Sequence, residues 1–156
     1  MKRRSVLAPI VGGIFLVILL IVLALFVSKK TSYDKIIERL KDDGYQFEHM
    51  ISEDLDIEDI IIANQEDKIM LEKAIQDDGD SITYTYLDMS LITEDHDDYD
   101  YSDYRITIKS PKKYTSSKKE KQYKSYQKWL KKYHLTEKQA VKLLDYYQKN
   151  SEPNEI

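Results

Sequence analysis

The chain is 156 residues long and divides sharply: positions 6–27 hold 19 apolar residues and no charge, while all 28 Asp and Glu lie beyond them. That asymmetry excludes an evenly mixed globular protein, and the 128 residues from position 29 onward suffice for one domain with a modest core. With no cysteine, disulfide staples, thiol nucleophiles, Cys-ligated zinc and a lipidated cysteine anchor are excluded as well.

The first predicted element is the apolar run. At a rise of roughly 1.5 Å per residue, a helix over its 22 residues would span about 33 Å, against a hydrocarbon core of about 30 Å. Lys2, Arg3 and Arg4 would also suit the start of a cleaved signal peptide. The run exceeds the roughly 7–15 apolar residues of such peptides, and cleavage after Ala24 would leave Leu25, Phe26 and Val27 at the new terminus. The reading is therefore a basic amino-terminal tail at 1–5 and an uncleaved transmembrane anchor at 6–28. Counted literally, Lys29, Lys30, Lys35, Arg39 and Lys41 outnumber the three cations before the run and favour a cytoplasmic body. However, Asp34, Glu38 and Asp42 are interleaved with the second set, and a short tail with three adjacent charges reads as a signal-anchor that stays inside. The expected body is extracytoplasmic, on the cell membrane of a bacterium.

In the body, expected as one α+β domain over 29–150, Tyr33, Ile36, Ile37 and Leu40 form one stripe of a helix, with Gly44 placed to end it. Residues 45–51 alternate as a strand, and Ile60, Ile61 and Ile62 suit a buried one. Asp67 is positioned to cap a helix through Gln76 carrying Ile69, Met70, Lys73 and Ala74. Residues 81–92 read as a long strand with Ile82, Tyr84 and Tyr86 on one face, and the out-of-phase Leu87, Met89 and Leu91 predict a bulge or a face switch near Leu87. Tyr104, Ile106 and Ile108 alternate with Arg105, Thr107 and Lys109 in a partner strand, whose cationic face suits an acidic neighbour. Tyr123, Tyr126, Trp129, Leu130 and Tyr133 lie at helical spacing over 117–134, and Thr136 with Gln139 forms a capping box before Ala140, Val141, Leu144 and Tyr147. These two helices predict a C-terminal helical hairpin over a mainly antiparallel sheet, with 151–156 as a flexible tail.

Charge is distributed unevenly. From Asp42 to Asp103 there are 21 acids against Lys68 and Lys73, whereas from Tyr104 to Ile156 there are 14 cations against five acids. The acidic loop carries Asp95, Asp97, Asp98 and Asp100, weak candidates for a hard cation, yet the EF-hand pattern fails: from Asp95 its glycine position is Asp100 and its closing glutamate position Ile106. A solvated hairpin tip is the simpler reading. His49, His96 and His134 lack the spacing of a metal pair or a nucleophile and base, although a triad could assemble in space. No catalytic motif, metal site or cofactor is expected. The exposed side of the 117–134 helix presents Lys121, Lys124, Lys128 and Lys131, a pattern able to hold anionic lipid, wall polymer or nucleic acid. The simpler use of this charge is pairing with the acidic first half.

The expectation is a single-pass membrane protein whose body is a non-catalytic binding or accessory module, with the membrane and another membrane or envelope component as partners. The competing expectation is a cytoplasmically facing, membrane-tethered regulator whose basic hairpin binds nucleic acid or anionic lipid; nucleic acid is not expected for an outward-facing body.

Overall fold

The computed structural model of the chain describes residues 17, 18, 20, 21, 32–76, 79–93, 101–109, 114 and 116–156. The chain falls into two compact units, residues 1–38 and 39–156. In the first, Val17, Ile18, Leu20 and Ile21 are helical, and each exposes more than half of its surface. Among the described residues no helix is long and apolar enough to cross a membrane. The anchor expected over 6–28 lies almost wholly outside them.

Helix α1, residues 32–42, ends in the second unit as its sequence predicts. Gly44 adopts φ +90°, the Tyr45 amide donates to the Leu40 carbonyl at 2.9 Å, and the Gly44 amide donates to that of Lys41 at 3.0 Å. These are the paired bonds of a left-handed helix stop, which glycine enters without Cβ strain.

A meander of four strands follows: β1 (Gln46–Ser52), β2 (Ile57–Asn64), β3 (Ile69–Gln76) and β4 (Ser81–Asp88). With β5 (Ile106–Thr107) and β6 (Asn154–Glu155) they form a six-stranded sheet of order β5-β4-β3-β2-β1-β6. It is antiparallel except for the β1–β6 pair. The fold is thus a small α+β domain with a mostly antiparallel sheet.

The segment from Asp67 through Gln76, expected as a capped helix, is instead the end of a turn followed by strand β3. The Asn64 side-chain oxygen accepts from the amides of Glu66 and Asp67, and Lys68 takes φ +56°. These contacts close a tight turn where a helix start was expected, and eight residues of β3 then pair in register with β2. Leu71 and Lys73 point to the buried side, a period of two that ladder pairing enforces. The long strand at 81–92 stops at Asp88 and gives way to a 3₁₀ turn, Met89–Leu91, capped by the Asp88 side chain. No bulge marks Leu87, because the β3–β4 register is unbroken from Gln76↔Ser81 to Ile69↔Asp88. Leu87 is out of phase because both faces of β4 are buried at this end, with Tyr86 and Leu87 each almost fully covered. Ile82, on the same face as Tyr84 and Tyr86, is 44% exposed at the strand's start. The partner strand is reduced to Ile106–Thr107, extended by an Ile108 amide bond to the Tyr84 carbonyl. Residues 151–156, expected as a flexible tail, carry β6, and the Ile156 amide donates to the Ile51 carbonyl.

Helices α2 (Ser117–Tyr133) and α3 (Glu137–Asn150) cover one face of the sheet. His134 stops α2 at φ 55°, and the capping box of Thr136 and Gln139 starts α3. From α2 come Tyr126, Trp129, Leu130 and Tyr133; from α3 come Ala140, Leu143 and Leu144, the last three fully buried. Ile60, Ile62, Leu71, Tyr84 and Tyr86 of the sheet are buried as well. Tyr86 lies 5.0 Å from Tyr126 between ring centroids, and Trp129 and Tyr133 continue the row at 5.2 Å to Tyr45 at 5.8 Å. Buried aromatics with polar ends need partners. Trp129 Nε1 donates to the Tyr45 hydroxyl, Tyr133 to Asp43 Oδ2 at 2.7 Å, and Tyr86 shares a bond with Ser125.

Candidate functional site

The helix-covered side of the sheet is not wholly apolar, and one group of its polar residues meets α3. Lys73 occupies the inward parity of β3 beside Leu71, and only 6% of it is exposed. A buried ammonium needs compensation. Lys73 Nζ donates to Asp145 Oδ1 at 2.7 Å and to Gln148 Oε1 at 2.6 Å, and Tyr84 donates its hydroxyl to the same Asp145 oxygen. Burial, then the bond to Asp145, pushes the Tyr84 phenol well above its ordinary range. Gln148 Nε2 reaches on to Glu58 Oε1 at 2.7 Å, which His49 Nε2 meets at the same distance. His49 Nδ1 lies 2.8 Å from Ser151 Oγ. One polar chain therefore runs from β4 through α3 to the segment leading into β6.

A serine, an imidazole and a carboxylate do assemble in space here. Ser151 Oγ, however, also donates to the Tyr147 carbonyl at 2.7 Å, the last turn of α3. The arrangement works as a clamp: His49 ties the end of α3 to β1 and, through Glu58, to β2.

Next to this chain lies a groove of about 660 Å³, lined by Ile51, Ile57, Ile75 and Ile82 together with Glu53, Asp56, Glu58, Lys73 and Gln148. Its walls come from the β1–β2 turn and the start of β4, with Lys73 and Gln148 on its polar side. Both protein hydrogen bonds to Glu58 fall on Oε1; among the described residues Oε2 has none.

The expected lysine surface is also present. Lys121, Lys124, Lys128 and Lys131 are all exposed on α2. Lys124 pairs with Glu120 one turn away at 2.9 Å, and that hydrogen bond, followed by its charge, holds Glu120 below its ordinary pKa. Lys121, Lys128 and Lys131 have no acidic partner among the described residues. Pairing between the acidic and basic halves falls elsewhere, to Lys132 with Asp43 at 3.3 Å and Arg105 with Glu72. The cationic side of β5 does meet an acid, as its alternation predicts.

Asp95, Asp97, Asp98 and Asp100, like His96, lie outside the described residues. Among the described residues no cluster of three or more His, Asp or Glu could hold a metal ion. His134 is exposed at the α2 stop. Sequence reasoning missed the Lys73, Asp145, Tyr84 and Gln148 network. The available signal was Lys73 itself, one of two cations between Asp42 and Asp103, two residues from Leu71 in what proves to be a strand. No family model matches the chain, and no curated protein or solved structure matches it either.

Proposed function

We propose that the chain is a single-pass membrane protein whose α+β body acts as a non-catalytic binding or accessory module on the extracytoplasmic face of a bacterial cell membrane. Residues 6–28 serve as its anchor and 1–5 as a basic tail that stays inside. The observation that carries this reading is the uncharged apolar run at 6–27, in which the described Val17, Ile18, Leu20 and Ile21 are helical and mostly exposed. Apolar side chains exposed on a helix call for lipid. The body offers two surfaces for a partner in the membrane or envelope. One is the lysine stripe of α2, suited to anionic headgroups or wall polymer, and the other is the groove beside Glu58.

The five cations that follow the run, Lys29 to Lys41, favour a second reading with the body in the cytoplasm, where the same stripe would meet inner-leaflet lipid or nucleic acid. Full-length fusions carrying, after Ile156, either a reporter active only outside the cytoplasm or one active only inside it separate the two. Activity of the outside reporter alone is expected, and activity of the inside reporter alone would establish the second reading.

A further inference from the structure

We infer that the body lies against the bilayer with the outer face of α2, so that Lys121, Lys124, Lys128 and Lys131 sit at the phosphate groups of anionic lipid. The inference rests on the anchored reading above and deepens it, by fixing which surface of the body faces the membrane and which lipid chemistry holds it there. The four lysines follow one another at intervals of three or four residues, so they form a single row about 15 Å long. All four are exposed, and no acid lies between them. Glu120, the only acid of α2, pairs with Lys124, while Lys121, Lys128 and Lys131 have no acidic partner among the described residues.

The row is held rigidly from behind. On the covered side of α2, Gln122 accepts from the Asp88 amide at 2.7 Å and donates to the Asp88 carbonyl at 2.8 Å, and Tyr126, Trp129 and Tyr133 are buried. With these aromatics in the core, the row has none on which to stack a base, as single-stranded nucleic acid requires. The exposed residues of α2 are all polar or charged, so nothing on this face inserts among acyl chains. Contact with lipid is therefore electrostatic and stays at the headgroups. Position favours lipid over a free anionic polymer. Arg39, the first residue of the second unit, donates from Nη2 to the Lys132 carbonyl at 3.1 Å, and its guanidinium lies 5.5 Å from the centroid of the Tyr133 ring. Lys131, at one end of the row, thus neighbours the point at which the chain enters that unit. Only residues 28–38 separate this point from the apolar run, a reach of at most roughly 40 Å. A tether that short presents the row to headgroups at high effective concentration.

The test uses the full chain, isotopically labelled, in nanodiscs of phosphatidylcholine alone or mixed with phosphatidylglycerol, each with a trace of lipid carrying a paramagnetic headgroup. With phosphatidylglycerol present, amide broadening across residues 43–156 should be greatest over 120–131, and it should fall away in high salt and in phosphatidylcholine alone. The combined variant Lys121→Gln, Lys128→Gln and Lys131→Gln should weaken the contact by more than about a hundredfold, since each surface lysine is worth roughly fivefold. Its remaining amide shifts should stay in place, which separates a lost contact from a lost fold. Equal broadening without phosphatidylglycerol, a maximum on another surface, or a variant that broadens as the parent chain does would overturn the inference. Displacement by soluble poly(glycerol phosphate) at equal phosphate concentration would assign the row to a free polymer and overturn it as well. A chain that stays out of phosphatidylcholine discs fails the anchor instead. If that chain still floats with phosphatidylglycerol vesicles at low salt and the triple variant does not, the lipid contact stands without the anchor; absence of that flotation overturns the contact too.

Discussion

His134 holds a left-handed backbone at φ 55°, where glycine is the usual occupant, so that the Leu135 amide can reach the Leu130 carbonyl at 2.9 Å. A residue with a Cβ gives up roughly 1–2 kcal/mol in that region. His134→Gly should therefore stabilise the body by about 1 kcal/mol, less the entropy that glycine adds to the unfolded chain, read as a higher denaturation midpoint at unchanged slope. A lower midpoint would mean that the imidazole contributes a contact outweighing its backbone strain. Gly44, at the corresponding stop of α1, was legible because glycine signals the conformation directly. His134 was legible only as a short gap between two helical stripes. Gln122 gave no signal: it is fully buried in α2, accepting from the Asp88 amide and donating to the Asp88 carbonyl, as a backbone strand would. A polar residue beside an apolar stripe is ordinarily a solvated flank, and only the tertiary position of β4 makes it an end-cap for that strand.

At the scale of elements, the strands and helices with a clean period or cap were readable: β1, β2, α2 and the capping box of α3. Strand β3 was not, because Ile69, Met70, Lys73 and Ala74 also fit a helical spacing, and the deciding force is the ladder with β2 and β4. The open face of the sheet carries Asp59, half-buried opposite Ala74. Burial first, then the nearby charge of Glu72, raises its pKa above the ordinary 3.8, with Arg105 opposing them. A carboxyl whose folded pKa lies above its unfolded one takes up a proton on folding. Its contribution is therefore greatest below pH 3.8 and declines as pH rises through the folded value, then stays level. Asp59→Asn should flatten that segment of the stability–pH curve and raise the melting temperature at neutral pH; an unchanged curve would show that Asp59 is solvated. On the covered face, Leu144 of α3 is fully buried. Leu144→Asp would place an uncompensated charge among apolar side chains and should destabilise by at least about 3 kcal/mol, checked by thermal unfolding. No change in melting would mean that α3 does not pack as described.

On the scale of the whole molecule, the charge asymmetry along the chain has two uses. Arg105 and Lys132 bridge the acidic and basic halves, while Lys121, Lys128 and Lys131 stay exposed without acidic partners among the described residues. Exposed ion pairs contribute about 0–1 kcal/mol each, so converting the four lysines 121, 124, 128 and 131 to glutamine should leave the melting temperature nearly unchanged. The same variant should lose salt-sensitive binding to vesicles containing anionic lipid, measured by flotation. A clear fall in melting temperature with no binding to lose would assign the stripe to the fold. The groove was not legible in the sequence, since its isoleucines and carboxylates come from segments that only the meander brings together. The apolar run at 6–27 is a feature of composition and lies almost wholly outside the described residues. The outward-facing anchored body is tested most directly by adding protease to intact cells that make the full chain. The account predicts loss of residues 29–156 while a cytoplasmic marker survives, and protection of the body until the cells are lysed would contradict it.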